Sequence, residues 1–164
     1  FSGCTSLASI EIPESVISIG SCAFHSCKSL TRVQLPSSLT KLEDDIFTSC
    51  TSLPSIALPD TLTTIGKSAF SNCSSLQEIS IPAKVRYIDY WAFSNSGITR
   101  AYFADRSATW SRSLYGRDFT GDQLSYKLKD HVTVADSGKA AEYLKATVRS
   151  SSHNSEWYGY VWRR

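Results

Sequence analysis

The sequence predicts a mostly β, α+β chain in two parts: a solenoid of about four and a half 23-residue units over residues 1–104, then a small non-repeat α+β C-terminal cap over residues 105–164. Three observations carry this expectation. One set of apolar positions recurs at a fixed step of 23 residues. Within each step, an apolar/polar alternation ends on proline, which is how a single short strand reads. Beyond Asp105 the period vanishes while aromatic residues stay dense, with nine between Trp110 and Trp162.

The step is kept by Phe1, Phe24, Phe47, Phe70 and Phe93, by Cys4, Cys27, Cys50 and Cys73, by Leu7, Leu30, Leu53 and Leu76, and by Pro13, Pro36, Pro59 and Pro82. Between these anchors stand Ile10, Val33, Ile56 and Ile79, then Ile12, Leu35, Leu58 and Ile81, then Val16, Leu39, Leu62 and Val85, then Ile19, Leu42, Ile65 and Ile88. A unit this short cannot bury its own apolar positions, so copies must stack until each roofs the next. In the first unit Ile10 and Ile12 face inward, and Ser9 and Glu11 face out. Pro13 has no N–H for a ladder and ends the strand. The V-x-x-I segment forms the next side of the coil, and Gly20 to Cys27 form a return turn that carries Phe24 inward.

The segments Cys27-Lys-Ser-Leu-Thr-Arg-Val-Gln-Leu-Pro36 and Ile65-Gly-Lys-Ser-Ala-Phe-Ser-Asn-Cys73 resemble the BspA-type leucine-rich repeat, and the likeness covers residues 1 to about 104. The resemblance implies a leucine-rich-repeat solenoid used for binding, not catalysis, in an adhesion or protein-interaction role at the cell surface or in a secreted protein. A structural subunit of an intracellular or organellar assembly is the alternative location.

The fifth unit departs from the pattern. Ser96 stands where cysteine is expected, and Gly97-Ile98 brings the apolar residue one position early, so Ala101 and Phe103 take the inward places of the strand. Tyr87, Trp91 and Tyr102 replace residues that are polar or small in earlier units. Such rings are costly to leave in water, so either the C-terminal segment lies over them or they form a platform for a ligand or partner. At the other end Phe1 opens in mid-motif without a polar cap, and methionine is absent from the chain. Upstream repeats or a covering subunit are therefore expected at that edge.

The tail is too aromatic for disorder. Leu124, Tyr126, Leu128, Val132 and Val134 alternate with polar residues, as in one long strand or a hairpin. Asp136-Ser137 can cap a helix from about Gly138 to Arg149, with Ala140, Ala141, Leu144 and Val148 on one face. Residues 150–155 read as a polar linker, and the alternation of Tyr158, Tyr160 and Trp162 as a final strand. The expected cap is thus strand, helix and strand.

Chemistry is sparse. Seventeen basic and fifteen acidic residues give a net charge of +2, −1 over the solenoid and +3 over the tail, without a block of like charge. That field is too weak to indicate nucleic acid, and no apolar run is long enough for membrane insertion. The cysteine column is read as buried thiols packing as small hydrophobes, because equivalent side chains in stacked units point in parallel. Cys22-x-x-His25-x-Cys27 offers three zinc ligands and lacks a fourth, so no metal is expected. His25, His131 and His153 have no nucleophile or acid motif beside them, and no cofactor or enzymatic activity is expected. Asp44-Asp45 reads as solvated charge on a convex turn. Asn72-Cys73-Ser74 matches a glycosylation sequon whose central cysteine belongs to the buried column.

The outward strand row is Ser9 and Glu11, Arg32 and Gln34, Ser55 and Ala57, Glu78 and Ser80, Arg100 and Tyr102. Arg32, Gln34, Glu78, Arg100 and Tyr102 are its candidate contacts for a protein partner, and Trp157, Tyr158, Tyr160 and Trp162 of the tail are candidate anchors. The alternative function is a carbohydrate-binding module using tail aromatics such as Trp110, Trp157 and Trp162 as sugar platforms.

Overall fold

The five phenylalanines at the 23-residue step stand in single file. Their ring centroids follow one another at 5.7, 5.4, 5.5 and 5.4 Å, with interplanar angles between 4° and 14°. A computed structural model describes the backbone of residues 1–105, 109–117, 123–133, 137–145, 147–149 and 157–163, and the side chains of residues 1–105 and 137–145. In chain order its elements are β1 (Ser9–Glu11), β2 (Arg32–Gln34), β3 (Lys41–Leu42), β4 (Thr64–Ile65), β5 (Glu78–Ile81), β6 (Tyr87–Ile88), β7 (Arg100–Phe103), β8 (Thr109–Arg117), β9 (Gln123–Thr133), α1 (Ser137–Lys145), β10 (Thr147–Arg149) and β11 (Trp157–Arg163).

Each coil has three sides. On the first, β1 pairs β2 in parallel, Ile10 opposite Val33, and β5 pairs β7, Ile79 opposite Ala101 and Ile81 opposite Phe103. This register confirms the 22-residue step into the fifth unit. The expected strand of the third unit is not formed, so the first side is two separate pairs. Pro54 explains the gap. Thr31 N–H donates to the Ala8 carbonyl and Thr99 N–H to the Gln77 carbonyl, both at 2.8 Å. At the same place in the third unit proline has no N–H to give to Thr31, and the ladder loses a rung. Ile56 is nonetheless buried there, and Ser55 and Ala57 are exposed, so the side-chain pattern outlasts the hydrogen bonding.

The second side is the V-x-x-I segment. Here β3, β4 and β6 stack in parallel, with Leu42, Ile65 and Ile88 in register and buried. The third side is the return turn, and it is the most regular. Cys22 and Ser26, Asp45 and Ser49, Ser68 and Asn72, and Trp91 and Asn95 all adopt left-handed backbone, with φ between 53° and 62°. A non-glycine residue there costs about 1 kcal/mol. Against that cost, each of the first three turns donates three N–H groups to the next coil: in the first, Cys22, Phe24 and Ser26 reach the carbonyls of Asp44, Ile46 and Thr48 at 3.0, 3.0 and 2.8 Å. The twist also drives a phenylalanine fully inside, a burial worth about 1.5–3 kcal/mol per ring.

In the first coil Phe1 is 65% exposed, and Ile17, in the outward column of Thr40, Thr63 and Arg86, is 78% exposed. The fifth coil closes differently. Between Ser96 and Ile98 a single residue spans a place filled by Ser74 and Ser75 in the unit before. A Cβ on Gly97 would stand 2.1 Å from the Ser74 carbonyl oxygen, so only glycine allows the shortened turn.

The cap differs from the expected strand, helix and strand. It begins with an antiparallel hairpin of β8 and β9, whose register shifts between Arg112 and Leu114. α1 packs on β7 and buries Ala140, Ala141 and Leu144, three of the four positions expected on its inner face. It stops at Lys145, short of Arg149. The β-branched pair Thr147-Val148 instead forms β10, with Val148 opposite Tyr158 of β11. The final strand lies where expected, and it joins the solenoid: Trp162 and Arg163 pair antiparallel with Ile88 and Tyr87 of β6, while β8 takes its other flank. One sheet in the order β3-β4-β6-β11-β8-β9 therefore runs from coil to cap. The expected cap at Asp136, the linker at 150–155 and Val134 lie outside the described residues.

Candidate partner-binding faces

Stacked coils fix the outward row rigidly. Ser9, Glu11, Arg32, Gln34, Ser55, Glu78, Ser80 and Arg100 are all exposed, and Tyr102 is 43% exposed. Arg100 on β7 forms an ion pair with Glu78 on β5, its register partner. Both side chains are about half exposed, so this pair contributes little to stability and mainly fixes the two charges in place. Five candidates thus share one face, with Tyr102 as its single large ring. Trp157, Tyr158, Tyr160 and Trp162 belong by backbone to β11, in the other sheet. The structure does not unite the two candidate sets, and the side chains of the tail aromatics, Trp110 included, lie outside the described residues.

The cysteine column is packed and hydrogen-bonded. Cys27, Cys50 and Cys73 are fully buried, and their thiols donate to the carbonyls of Phe1, Phe24 and Phe47 at 3.2, 3.1 and 3.1 Å. Burial pushes the Cys27 thiol up, and pushes Cys50 and Cys73 up to about 12, the neighbouring thiol of the column adding to the effect. These groups are poor nucleophiles and poor metal ligands. Cys4 and Cys22 are exposed free thiols. Among the described residues no three of His, Cys, Asp and Glu are grouped to hold a metal. The column ends on Ser96, whose buried hydroxyl has no hydrogen-bond partner.

Carboxylates knit neighbouring coils together. Glu14 accepts the Ser37 hydroxyl at 2.7 Å and the Ser37 N–H at 2.9 Å, and these bonds hold its carboxyl below the usual range. Asp44 and Asp45 are half-buried and not simply solvated charge: Asp44 accepts the Lys67 N–H at 3.0 Å, and Asp45 the Thr48 hydroxyl at 3.1 Å. Sequence reasoning missed what this places side by side. Asp44, Lys67 and Tyr90 hold one column of the 23-residue register, and Glu43, Gly66 and Asp89 the next. Lys67 Nζ lies 5.3 Å from the Tyr90 ring centroid and 6.0 Å from that of Trp91. Reading the columns for charge as well as for apolar residues would have found this corner.

A family model described as the BspA type leucine-rich repeat region (6 copies) matches residues 1–118. The chain belongs to the BspA-type leucine-rich repeat family. Three solved leucine-rich repeat proteins agree on the coil. A leucine-rich repeat protein of T. pallidum is 36% identical with a TM-score of 0.60, over 62% of this chain and 48% of that one. One from Bacteroides ovatus is 34% identical with a TM-score of 0.61, over 65% and 28% of the two chains. One from Bacteroides capillosus is 31% identical with a TM-score of 0.53, over 58% and 76%. The chain therefore spans about half of the T. pallidum protein and just over a quarter of that from B. ovatus. No curated protein matches it. Repeats of this class stack into extended surfaces used for protein interaction.

Proposed function

We propose that this BspA-type solenoid is a non-catalytic protein-interaction module of a cell-surface or secreted protein, acting in adhesion or as a structural subunit. The supporting observation is the outward row from Ser9 to Tyr102. It is held on a stack whose inward residues are consumed by packing, and it exposes polar groups at every second position with one aromatic ring at the end. Such a face binds by shape, hydrogen bonds and a few ion pairs, with Tyr102 and Arg100 as the residue types that carry most binding energy. The test is capture of a partner by the wild-type chain, repeated with Arg32→Glu, Glu78→Arg, Arg100→Glu and Tyr102→Ala. Binding about tenfold weaker in at least two variants supports the reading. Unchanged binding across all four removes the strand face from the function.

A further inference from the structure

Asn72, Cys73 and Ser74 form the single Asn-x-Ser/Thr triplet of the chain, and the strand face makes no use of it. The triplet lies on the third return turn. Asn72 holds left-handed backbone at φ 58°, a region that asparagine tolerates better than most residues, and its N–H is spent on the Ser94 carbonyl at 2.8 Å. Ser71 and Cys73 on either side are buried, so the turn directs only Asn72 outward, where it is exposed. Its side-chain amide donates to the Ser71 hydroxyl at 3.3 Å, a long bond that is easily given up. In the same column Ser26 and Ser49 are half-buried and Asn95 is exposed, so the neighbouring coils flank Asn72 with small polar side chains.

The third member of the triplet is open as well. Ser74 is exposed, and its hydroxyl gives only a 3.4 Å bond to the Thr51 carbonyl, while its N–H closes the turn on the Asn72 carbonyl at 3.0 Å. Thr51 fills the same column one coil earlier, so packing there accepts either hydroxyl residue. Cys73 between them is fully buried, which closes the triplet to an enzyme once the coil has formed. A modifying step therefore belongs to the chain as it is made, before Cys73 packs. Asn95 supplies an internal comparison. It shares the column, the exposure and the left-handed backbone, at φ 53°, but the residue two places on is Gly97, which has no hydroxyl and no room for a side chain.

We propose that Asn72 is the attachment site of an N-linked glycan, transferred during synthesis from an oligosaccharide carried on a lipid diphosphate. This rests on the cell-surface or secreted part of the reading above, not on the strand face. In the transfer Asn72 Nδ2 bonds to the anomeric carbon of the sugar, the bond from that carbon to the phosphate oxygen breaks, the amide gives up one proton and the lipid diphosphate leaves with the electron pair. No oxidant or reductant is needed. The glycan then projects from the return-turn side of the coil, and the outward row from Ser9 to Tyr102, on another side, stays open to a partner.

The experiment is expression of the whole chain behind a cleavable secretion leader in a eukaryotic host that performs N-glycosylation, followed by intact-mass analysis of the secreted protein. One glycan per chain is expected, released by peptide-N-glycosidase, with release in heavy-oxygen water marking position 72 and leaving Asn95 unmarked. Asn72→Ser removes it and keeps the turn, since Ser26 and Ser49 hold the same column and the same left-handed backbone. Ser74→Ala also removes it, at the expense of one long hydrogen bond, and Ser74→Thr retains it. A secreted, folded chain without glycan, a glycan that persists in Asn72→Ser, or one carried at Asn95 overturns the proposal. So does a glycosylated chain whose thermal midpoint lies more than about 4 °C below that of the enzymatically released one, because the coil would then not accommodate the sugar. The leader fixes the route, so a missing glycan counts against Asn72 and not against the location, and loss of a captured partner through Arg32→Glu or Arg100→Glu bears only on the strand face.

Discussion

Ser96 is where this solenoid is least well built, and changing it measures what the thiol column is worth. Three buried thiols in a row find the carbonyl of the phenylalanine 26 residues earlier, at 3.1–3.2 Å. By that register the acceptor for residue 96 is the Phe70 carbonyl, yet the Ser96 hydroxyl is buried and unpartnered. A C–O bond is shorter than a C–S bond, so the serine oxygen falls short of a carbonyl that sulfur reaches. An unpaired buried hydroxyl costs about 1–3 kcal/mol, whereas a thiol there is a small hydrophobe that also makes a weak hydrogen bond. Ser96→Ala should therefore stabilise by about 1 kcal/mol and Ser96→Cys by about 1–2 kcal/mol. For a chain of 164 residues, each kilocalorie raises the midpoint of thermal unfolding by about 2–4 °C. Calorimetry under reducing conditions reads the difference. Two variants that match or fall below the wild type would refute the reasoning, because the hydroxyl would then carry no penalty for removal to relieve.

Gly97→Ala should destabilise by about 3 kcal/mol or more, or misfold the fifth coil, since the new methyl meets the Ser74 carbonyl at 2.1 Å; urea denaturation and a loss of hydrogen-exchange protection at residues 100–103 check it. Ser49→Gly relieves a left-handed serine at φ 62° and should stabilise by about 0.5–1 kcal/mol in the same denaturation assay. At pH 8 a thiol reagent should label Cys4 and Cys22 quickly and Cys27, Cys50 and Cys73 only on unfolding, because thiols held up to about 12 at Cys50 and Cys73 stay protonated; mass spectrometry counts the labels. Asp89 has a raised folded-state pKa, so its ionisation opposes folding, and the stability it contributes when protonated is lost as pH rises through the carboxylate range. Asp89→Asn should make the chain more stable at pH 7 and flatten that part of the stability profile, as denaturation at pH 4 and pH 7 would show.

The coil was legible because its register is written in side chains. Phe24, Phe47 and Phe70 align in the sequence at the same step at which their rings stack, and the one-residue slip at Gly97 appears as a 22-residue register between Ile79 and Ala101. What escaped was written in the backbone. Pro54 follows Leu53 without disturbing any apolar position, yet it removes the N–H on which a rung depends, and the third unit loses its strand. The corner at Lys67, Tyr90 and Trp91 escaped for the opposite reason: its residues come from two coils and fall in columns of no constant chemistry. In the tail nothing repeats, so pairing had to be guessed from alternation alone. That guess found β9 and β11, missed β8, and carried α1 past Lys145 because Val148 suits a helical stripe and a strand equally.

How the stack ends follows from the same logic. Every coil offers the next one a parallel edge, and a parallel edge that is merely left open recruits any strand of matching register. At β6 the chain places β11 antiparallel, with Trp162 opposite Ile88, and backs it with β8 on its far flank. Because β11 fills the edge of β6 and carries β8 on its own far edge, no strand edge is left there for a further parallel coil. The solenoid therefore stops on that side with its edge filled, and the neighbouring α1 over β7 buries the apolar surface that a sixth coil would otherwise have covered.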